Sequence, residues 1–460
     1  MKKNILSVLA ILFISLISFA QYAFAVGSAG FENATFSAKA LGQSNAVVAQ
    51  ADEPAAISYN PAGIANLPGF QFQPNLSLIS SFTYYKSSIQ PDTTSSGTIV
   101  PIPTGYMTLN PGDFLDDRIA FGIGSDSPFG LSNKYDGGSG IVHYTGWVNY
   151  LKMYTIKPTV SFKLFDWLSI GGGPIWYRVM DYGGIQAYPN RLVVVTSPDG
   201  QVRLNLAGNH WGWQVGALAK PHKMHQFGFY FRSPVVIQTR GLAKVENSGF
   251  TTGGRFETGV DEKLPLPLNF TFAYAFKPND KATVETDFGY TKWSIFKRAN
   301  VNHNPTNVTA LDNTILTAIG PADKDYSNGF SAHLGGNYKF TDRFTLMGGS
   351  LFYWKVVPKD HFIPAVPDSH RLAFSIGTSY KISKYLVADL SYFTLFVLHR
   401  KIDNTIGNAV SSSVDGKYRG YLQELTVSLT YKWDDLFKRF GRNAGIGEEK
   451  AAISEKPAVT

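Results

Sequence analysis

The chain has no cysteine, which excludes a disulfide framework and any thiolate-ligated metal. It is also short of charge: Asp, Glu, Lys and Arg make up 17% of the 460 residues, against a usual ~25%. The formal net charge of +8 is spread out, with no dense Lys/Arg block, so nothing in the composition asks for a nucleic-acid partner. Past the first 25 positions no apolar run reaches the ~18 residues of a spanning helix. His222 and His225 share the short turn Pro221-His-Lys-Met-His225, but no carboxylate joins them in a ligand pattern. No metal and no cofactor is expected.

Aromatics and glycine are abundant instead, with 33 Phe, 24 Tyr and 44 Gly. Residues 1–25 read as a secretory signal. Lys2 and Lys3 give the positive start, Ile5 to Phe19 the apolar stretch, and Ala23-Phe24-Ala25 the small residues at the cleavage site, with Ala20 as a second candidate. The stretch is shorter than the ~20 residues of a comfortable membrane helix. An exported, aromatic-rich, charge-poor chain with few helix signals suggests a β-protein facing lipid.

Period-2 alternation supports this. In Leu425 to Trp433, Leu425, Val427, Leu429, Tyr431 and Trp433 oppose Thr426, Ser428, Thr430 and Lys432; Leu268 to Phe276, Ala282 to Tyr290 and Leu372 to Ile382 repeat the pattern. A soluble sandwich and a membrane barrel share such alternation. Aromatics near strand ends (Tyr290, Trp293, Tyr353, Trp354, Tyr431, Trp433) and the loop lengths favour the barrel. Turns at 278–281, 341–343 and 383–384 are short, whereas segments near 86–103, 127–148, 186–207, 298–325 and 402–420 are long and polar. The strand signals number fourteen: 69–85, 99–109, 117–126, 149–164, 167–182, 209–220, 226–240, 264–277, 281–297, 326–340, 343–357, 369–382, 384–400 and 421–433. An even count suits a closed antiparallel transmembrane β-barrel over residues 67–433. Only closure satisfies every backbone group in lipid.

Residues 26–66 lack the alternation. A barrel of this size leaves a lumen that wall side chains alone do not fill, so this segment is expected to be an N-terminal hatch plugging the bore. Within it, Asn60-Pro61-Ala62-Gly63 reads as a corner: Pro61 fixes its own φ and restricts Asn60, and Gly63 permits a turn. On spacing alone, a plain turn into the first strand is an equal reading.

At this point the residues resemble those of the FadL family of outer-membrane transporters for long-chain fatty acids, with aromatic-hydrocarbon relatives of the TodX type. The resemblance rests on Gly30-Phe31, Ala55-Ala56-Ile57-Ser58 and Asn60 to Gly63, then on Ser127 to Leu131, Leu168 to Gly173, Gly212 to Pro221, Leu264 to Leu268, Trp293-Ser294 and Val366 to Arg371, in colinear order over about residues 27–433. It implies a monomeric fourteen-stranded barrel with a hatch, in the outer membrane of a Gram-negative-type bacterium, with outer-membrane lipid and a hydrophobic small molecule as its partners. Uptake would be energy-independent, with ligand leaving sideways at a kink in the third strand. By themselves Pro128 and Gly130 would simply end that strand; with the resemblance, Ser127, Pro128, Phe129 and Gly130 become the kink. Phe129, Leu131, Tyr135, Ile141, Val142, Tyr144 and Trp147 make a greasy loop. Phe129, Leu131, Tyr144 and Trp147 are the expected ligand contacts, and self-packing of a long loop is the alternative. Arg178, in the fifth strand, is the expected cation for a carboxylate head group, a salt bridge the alternative.

Two rival functions stand beside transport. Ser331 and His333 share a face, as a hydrolase would need, but i,i+2 on a strand separates them by about 7 Å and no acid is fixed nearby. No catalytic residue is assigned, and the chain is expected not to be an enzyme. A general diffusion porin would need an open charged lumen, whereas these inner faces are small and lightly charged. After Trp433, residues 434–460 form a tail; Leu436, Phe437 and Phe440 suggest a short interfacial helix within 434–442, and the composition of 443–460 suggests disorder.

Overall fold

The computed structural model describes residues 30–87, 92–95, 97–135, 142–145, 147–188, 199–246, 255–303, 322–404 and 414–433. The signal reading, the first residues of the expected hatch, Ile141 and the tail lie outside the described residues.

Fourteen wall strands follow one another. They are β1 (Phe70–Lys86), β2 (Val100–Leu109), β3 (Ile119–Asp126, resuming at Leu131–Lys134), β4 (Val148–Phe165), β5 (Leu168–Tyr188) and β6 (Gly200–His222). Then come β7 (His225–Arg232 and Val235–Glu246), β8 (Arg255–Leu266 and Asn269–Phe276), β9 (Ala282–Thr291) and β10 (Gly329–Lys339). The last are β11 (Phe344–Tyr353), β12 (Arg371–Ser383), β13 (Leu386–Ile402) and β14 (Gly416–Trp433). Each pairs antiparallel with the next, and β14 returns to β1 in a register running from Phe70↔Trp433 to Lys86↔Lys417. The sheet has no free ends, so its backbone polar groups can be paired in lipid.

Several strands outrun their sequence signals. β5 reaches Tyr188 and β6 begins at Gly200, inside the long loop expected near 186–207, while β7 ends at Glu246 and β8 begins at Arg255, beyond the expected strand limits of 240 and 264. Here Val202, Leu206, Ala243, Val245 and Val260 form a buried apolar cluster on the inner face. The outer face carries charges such as Arg203, Lys244 and Glu257, so the segments read as polar although they are strand-paired.

Polarity is inverted relative to a soluble protein. On β14, Leu425, Val427, Leu429 and Tyr431 are exposed, while Glu424, Thr426, Ser428 and Thr430 are buried. On β9, Phe288 is 60% exposed and its neighbour Asp287 1%. Such a surface is stable only where acyl chains cover it.

The buried faces meet the N-terminal segment, in which nearly every residue from Gly30 to Leu67 is inaccessible. It carries two short helices, α1 (Ala38–Leu41) and α2 (Ala56–Tyr59), and a 3-10 turn, Pro61–Asn66. Its hydrogen bonds reach opposite sides of the wall. Ala38 N donates to Ser428 Oγ of β14 at 2.7 Å, and the Thr104 hydroxyl of β2 donates to Phe36 O at 2.9 Å. Ser161 Oγ of β4 donates to Ala62 O at 3.1 Å, and His333 Nδ1 of β10 lies 2.8 Å from Ser44 O. Two buried carboxyl groups of β9 hold one turn: Asp287 Oδ2 accepts from Val47 N and Val48 N, and Glu285 accepts from Ala49 N and Gln50 N. Glycines on the wall allow the approach. A Cβ at Gly335 would lie 2.2 Å from Gln43 O, and one at Gly228 would lie 2.4 Å from Val48 O. Within the segment, burial pushes the Glu53 carboxyl above its usual range, against the pull of Lys39 and of hydrogen bonds from Ser37 and Gln73.

Candidate functional site at the break in the third strand

The structure places Asn60 deep between segment and wall. Its Nδ2 donates to Val48 O at 2.7 Å and to Ala217 O of β6 at 3.0 Å, and its Oδ1 accepts from Ala62 N. Pro61 opens the 3-10 turn, where a missing N–H costs nothing. A Cβ at Gly63 would lie 2.2 Å from Ala51 O, so only glycine fits.

β3 is interrupted. Its ladder with β2 stops at Gly105↔Ser125, although β2 continues beside β1 up to Ile79↔Val100. Val100 to Thr104 thus have a strand partner on one side only, among the described residues. Toward β4, the register shifts between Asp126↔Thr155 and Leu131↔Leu151. Residues 127–130 bond inward to the N-terminal segment instead: Asn33 N donates to Pro128 O at 2.8 Å, Gly130 N to Phe31 O at 2.9 Å and Asn33 Nδ2 to Ser127 O at 3.0 Å. Ser127 Oγ also donates to Met153 O of β4 at 2.6 Å. Just below the break, Lys157 and Asp126 form a fully buried ion pair; Lys157 Nζ also donates to Ser58 Oγ of α2 at 3.0 Å.

Phe129, at the centre of the break, is fully buried. Its ring lies 6.1 Å from those of Phe31 and Trp293, in an apolar cluster with Ile175, Tyr177 and Leu264. The Arg232 guanidinium of β7 stands 4.6 Å from the Phe129 ring and bonds Glu32 at 2.7 Å. Glu32 also accepts from the Thr291 hydroxyl. An adjoining cavity of about 80 Å³ is lined by Glu32, Arg232, Asp287, Trp293, His333 and Tyr353 among others. Among the described residues, Arg232 Nε, Trp293 Nε1 and Asp287 Oδ1 have no hydrogen-bond partner. The space is smaller than the roughly 150 Å³ that takes up one benzene, so a ligand must displace protein groups to enter.

The expected contact residues are divided. Phe129 belongs to the apolar cluster, and Leu131 packs against it. Tyr144 and Trp147 do not join it: the Tyr144 hydroxyl bonds Asp199, its carbonyl accepts from Gln186, and the Trp147 ring packs 4.8 Å from His143. Arg178 is a correction. Ile175, Tyr177 and Val179 are the buried positions of β5, so Arg178 falls on the outer face, across from exposed Asn209. An expectation one residue out of register changes face. Beside Lys157, a second buried cation near the break is Arg232, which sequence reading passed over. The signal was there: in His225 to Arg232, Gln226, Gly228, Tyr230 and Arg232 share the face opposite Phe227, Phe229 and Phe231. His333, considered as half of a Ser–His pair, is bonded through Nδ1 to Ser44 O.

Comparison with known proteins agrees with this architecture. The family described as Outer membrane protein transport protein (OMPP1/FadL/TodX) matches residues 17–433. The long-chain fatty acid transport protein of Escherichia coli K12 is 23% identical over 418 residues, covering 79% of this chain and 86% of that protein. A Pseudomonas aeruginosa FadL homologue superposes with a TM-score of 0.75 at 18% identity, covering 88% of this chain and 99% of that one. The Pseudomonas putida toluene transporter TodX superposes with a TM-score of 0.65 at 16% identity, covering 88% and 100%. With its fourteen-stranded closed wall and a family match over most of its length, the chain belongs to the OMPP1/FadL/TodX family of outer-membrane transport proteins.

Proposed function

We propose that this protein takes up hydrophobic molecules with an acidic head group, long-chain fatty acids being the fitting class, and releases them sideways into the outer membrane at the break in β3. The observation that carries the reading is the bonding of residues 127–130 to Phe31 and Asn33 beside a β2 edge that lacks a strand partner among the described residues. The N-terminal segment acts as the hatch, with Asn60, Pro61, Ala62 and Gly63 as its wall anchor. Ser127 to Gly130 form the exit. Phe129 and Leu131 contact ligand there, and Tyr144 and Trp147 contribute to capture nearer the surface. The chain works as a monomer.

Thermodynamics favours this route. Each CH₂ gains about 0.8 kcal/mol on leaving water, and a side door into lipid keeps that gain, so diffusion needs no energy source. Buried Arg232 supports an acidic head, since a carboxylate can take the place of Glu32 at a guanidinium. An apolar aromatic such as toluene, the substrate named for TodX, has no use for that cation. The test is uptake of labelled fatty acid and of labelled toluene by cells expressing the protein. Saturable uptake of the acid supports the reading. Uptake of toluene alone sinks the acidic-head assignment, and steady ion conductance in a planar bilayer would point to a porin.

A further inference from the structure

We infer that Pro101 and Pro103 keep the β2 edge from zipping onto β3. They are positioning residues for the sideways exit, and the inference rests on that reading. In an antiparallel sheet the N–H and C=O of one residue point to the same neighbour, and successive residues alternate sides. Asn110 N donates to Gly69 O at 2.8 Å, so even-numbered residues of β2 face β1 and odd-numbered ones face β3. Lys163 N donates to Arg118 O at 2.7 Å, so even-numbered residues of β3 face β4 and odd-numbered ones face β2. The observed ladder obeys this parity, with Leu109, Met107 and Gly105 meeting Phe121, Ile123 and Ser125.

Continued upward in the same register, it would set Pro103 against Ser127 and Pro101 against Phe129. Both β2 positions are prolines, which have no N–H to give. Two of the bonds a closed ladder would need are therefore missing. The bonds to β1 lose nothing, since they come from the even-numbered residues, and the β1–β2 register runs unbroken from Phe70↔Leu109 to Ile79↔Val100. The same substitution spares the edge two unpaired donors, which lipid does not tolerate. Pro128 acts elsewhere, because its missing donor faces β4. Its carbonyl and Gly130 N are the groups engaged by Asn33 and Phe31. The opening is thus written into both strands: β3 is drawn inward, and β2 is stripped of the donors that would draw it back.

The test is the double variant P101T/P103T of the full chain in lipid nanodiscs, read by hydrogen exchange at the Ser127 and Phe129 amides. Fatty-acid uptake by cells expressing the variant is measured alongside. We expect exchange at both amides to slow by tenfold or more and uptake to fall several-fold. Slowed exchange with undiminished uptake supports the role of the prolines and overturns the sideways exit. Unchanged exchange overturns the role of the prolines, whatever uptake does. If the double variant does not assemble, P101T and P103T alone, each restoring one donor, carry the same test at Phe129 and Ser127 respectively.

Discussion

Arg232 of β7 and Glu32 of the N-terminal segment are joined at 2.7 Å, and the guanidinium stands over the ring of Phe129. One cation therefore touches the segment and the strand break together. The pair is almost fully buried, where removing one partner of such a pair costs far more than its net contribution.

Replacing Arg232 by Gln should raise the fatty-acid concentration for half-maximal uptake about tenfold, the equivalent of one lost charged hydrogen bond. Uptake of a neutral hydrocarbon should change little. Equal losses for both substrates would show that Arg232 only holds the structure together.

Gly130→Arg puts a long charged side chain at the residue whose N–H is bonded to Phe31 O. The barrel should still assemble and keep its heat-modifiable migration in gels, while fatty-acid uptake drops to background. Normal uptake by a correctly assembled variant would remove the sideways route.

The double variant E285Q/D287N keeps the shape of the two β9 side chains but turns one oxygen of each into an NH2 beside the four successive N–H groups of Val47 to Gln50 from which these oxygens accept. A buried donor left without an acceptor costs about 1–3 kcal/mol, so the segment should loosen. Planar-bilayer recordings should then show conductance steps absent from the parent protein. Silence of the variant in this assay would mean that the remaining contacts suffice to close the bore.

Lys157→Met leaves Asp126 buried without its cation, and should destabilise the folded barrel by about 3–5 kcal/mol. K157M/D126L, which removes both charges, should recover most of that loss in equilibrium unfolding from lipid. A double variant no more stable than K157M alone would assign the effect to packing, not charge.

The wall strands were legible because period-2 alternation is local. Leu425 to Trp433 displays it without any knowledge of what surrounds it, and the even strand count with unequal loops selected a barrel. The polar upper parts of β7 and β8 were not legible, because strand pairing holds Lys244 and Glu257 in the sheet where local composition suggests loop. Asn60 to Gly63 showed itself as a corner through proline and glycine chemistry. Its bond to Ala217 O crosses 157 positions of sequence, and no local pattern carries that. Arg178 and Arg232 divide on the same point. Both are cations in strand-like stretches: Phe227, Phe229 and Phe231 mark the face opposite Arg232, whereas β5 has apolar residues on both faces around Arg178 and only the register tells which way it points.

By itself, then, the sequence determined that the chain forms membrane-facing strands, that they can close into a cylinder, and that rigid breaks fall at positions 60–63 and 127–130. These properties depend on backbone stereochemistry and on side chains a few residues apart. Only the tertiary structure decided that the break in β3 is bonded to Phe31 and Asn33, that Arg232 lies beside it, and that, among the described residues, Val100 to Thr104 face no strand on one side. Those relations join residues about a hundred or more positions apart, or turn on a one-residue choice of register, and closure of the barrel is what fixes them.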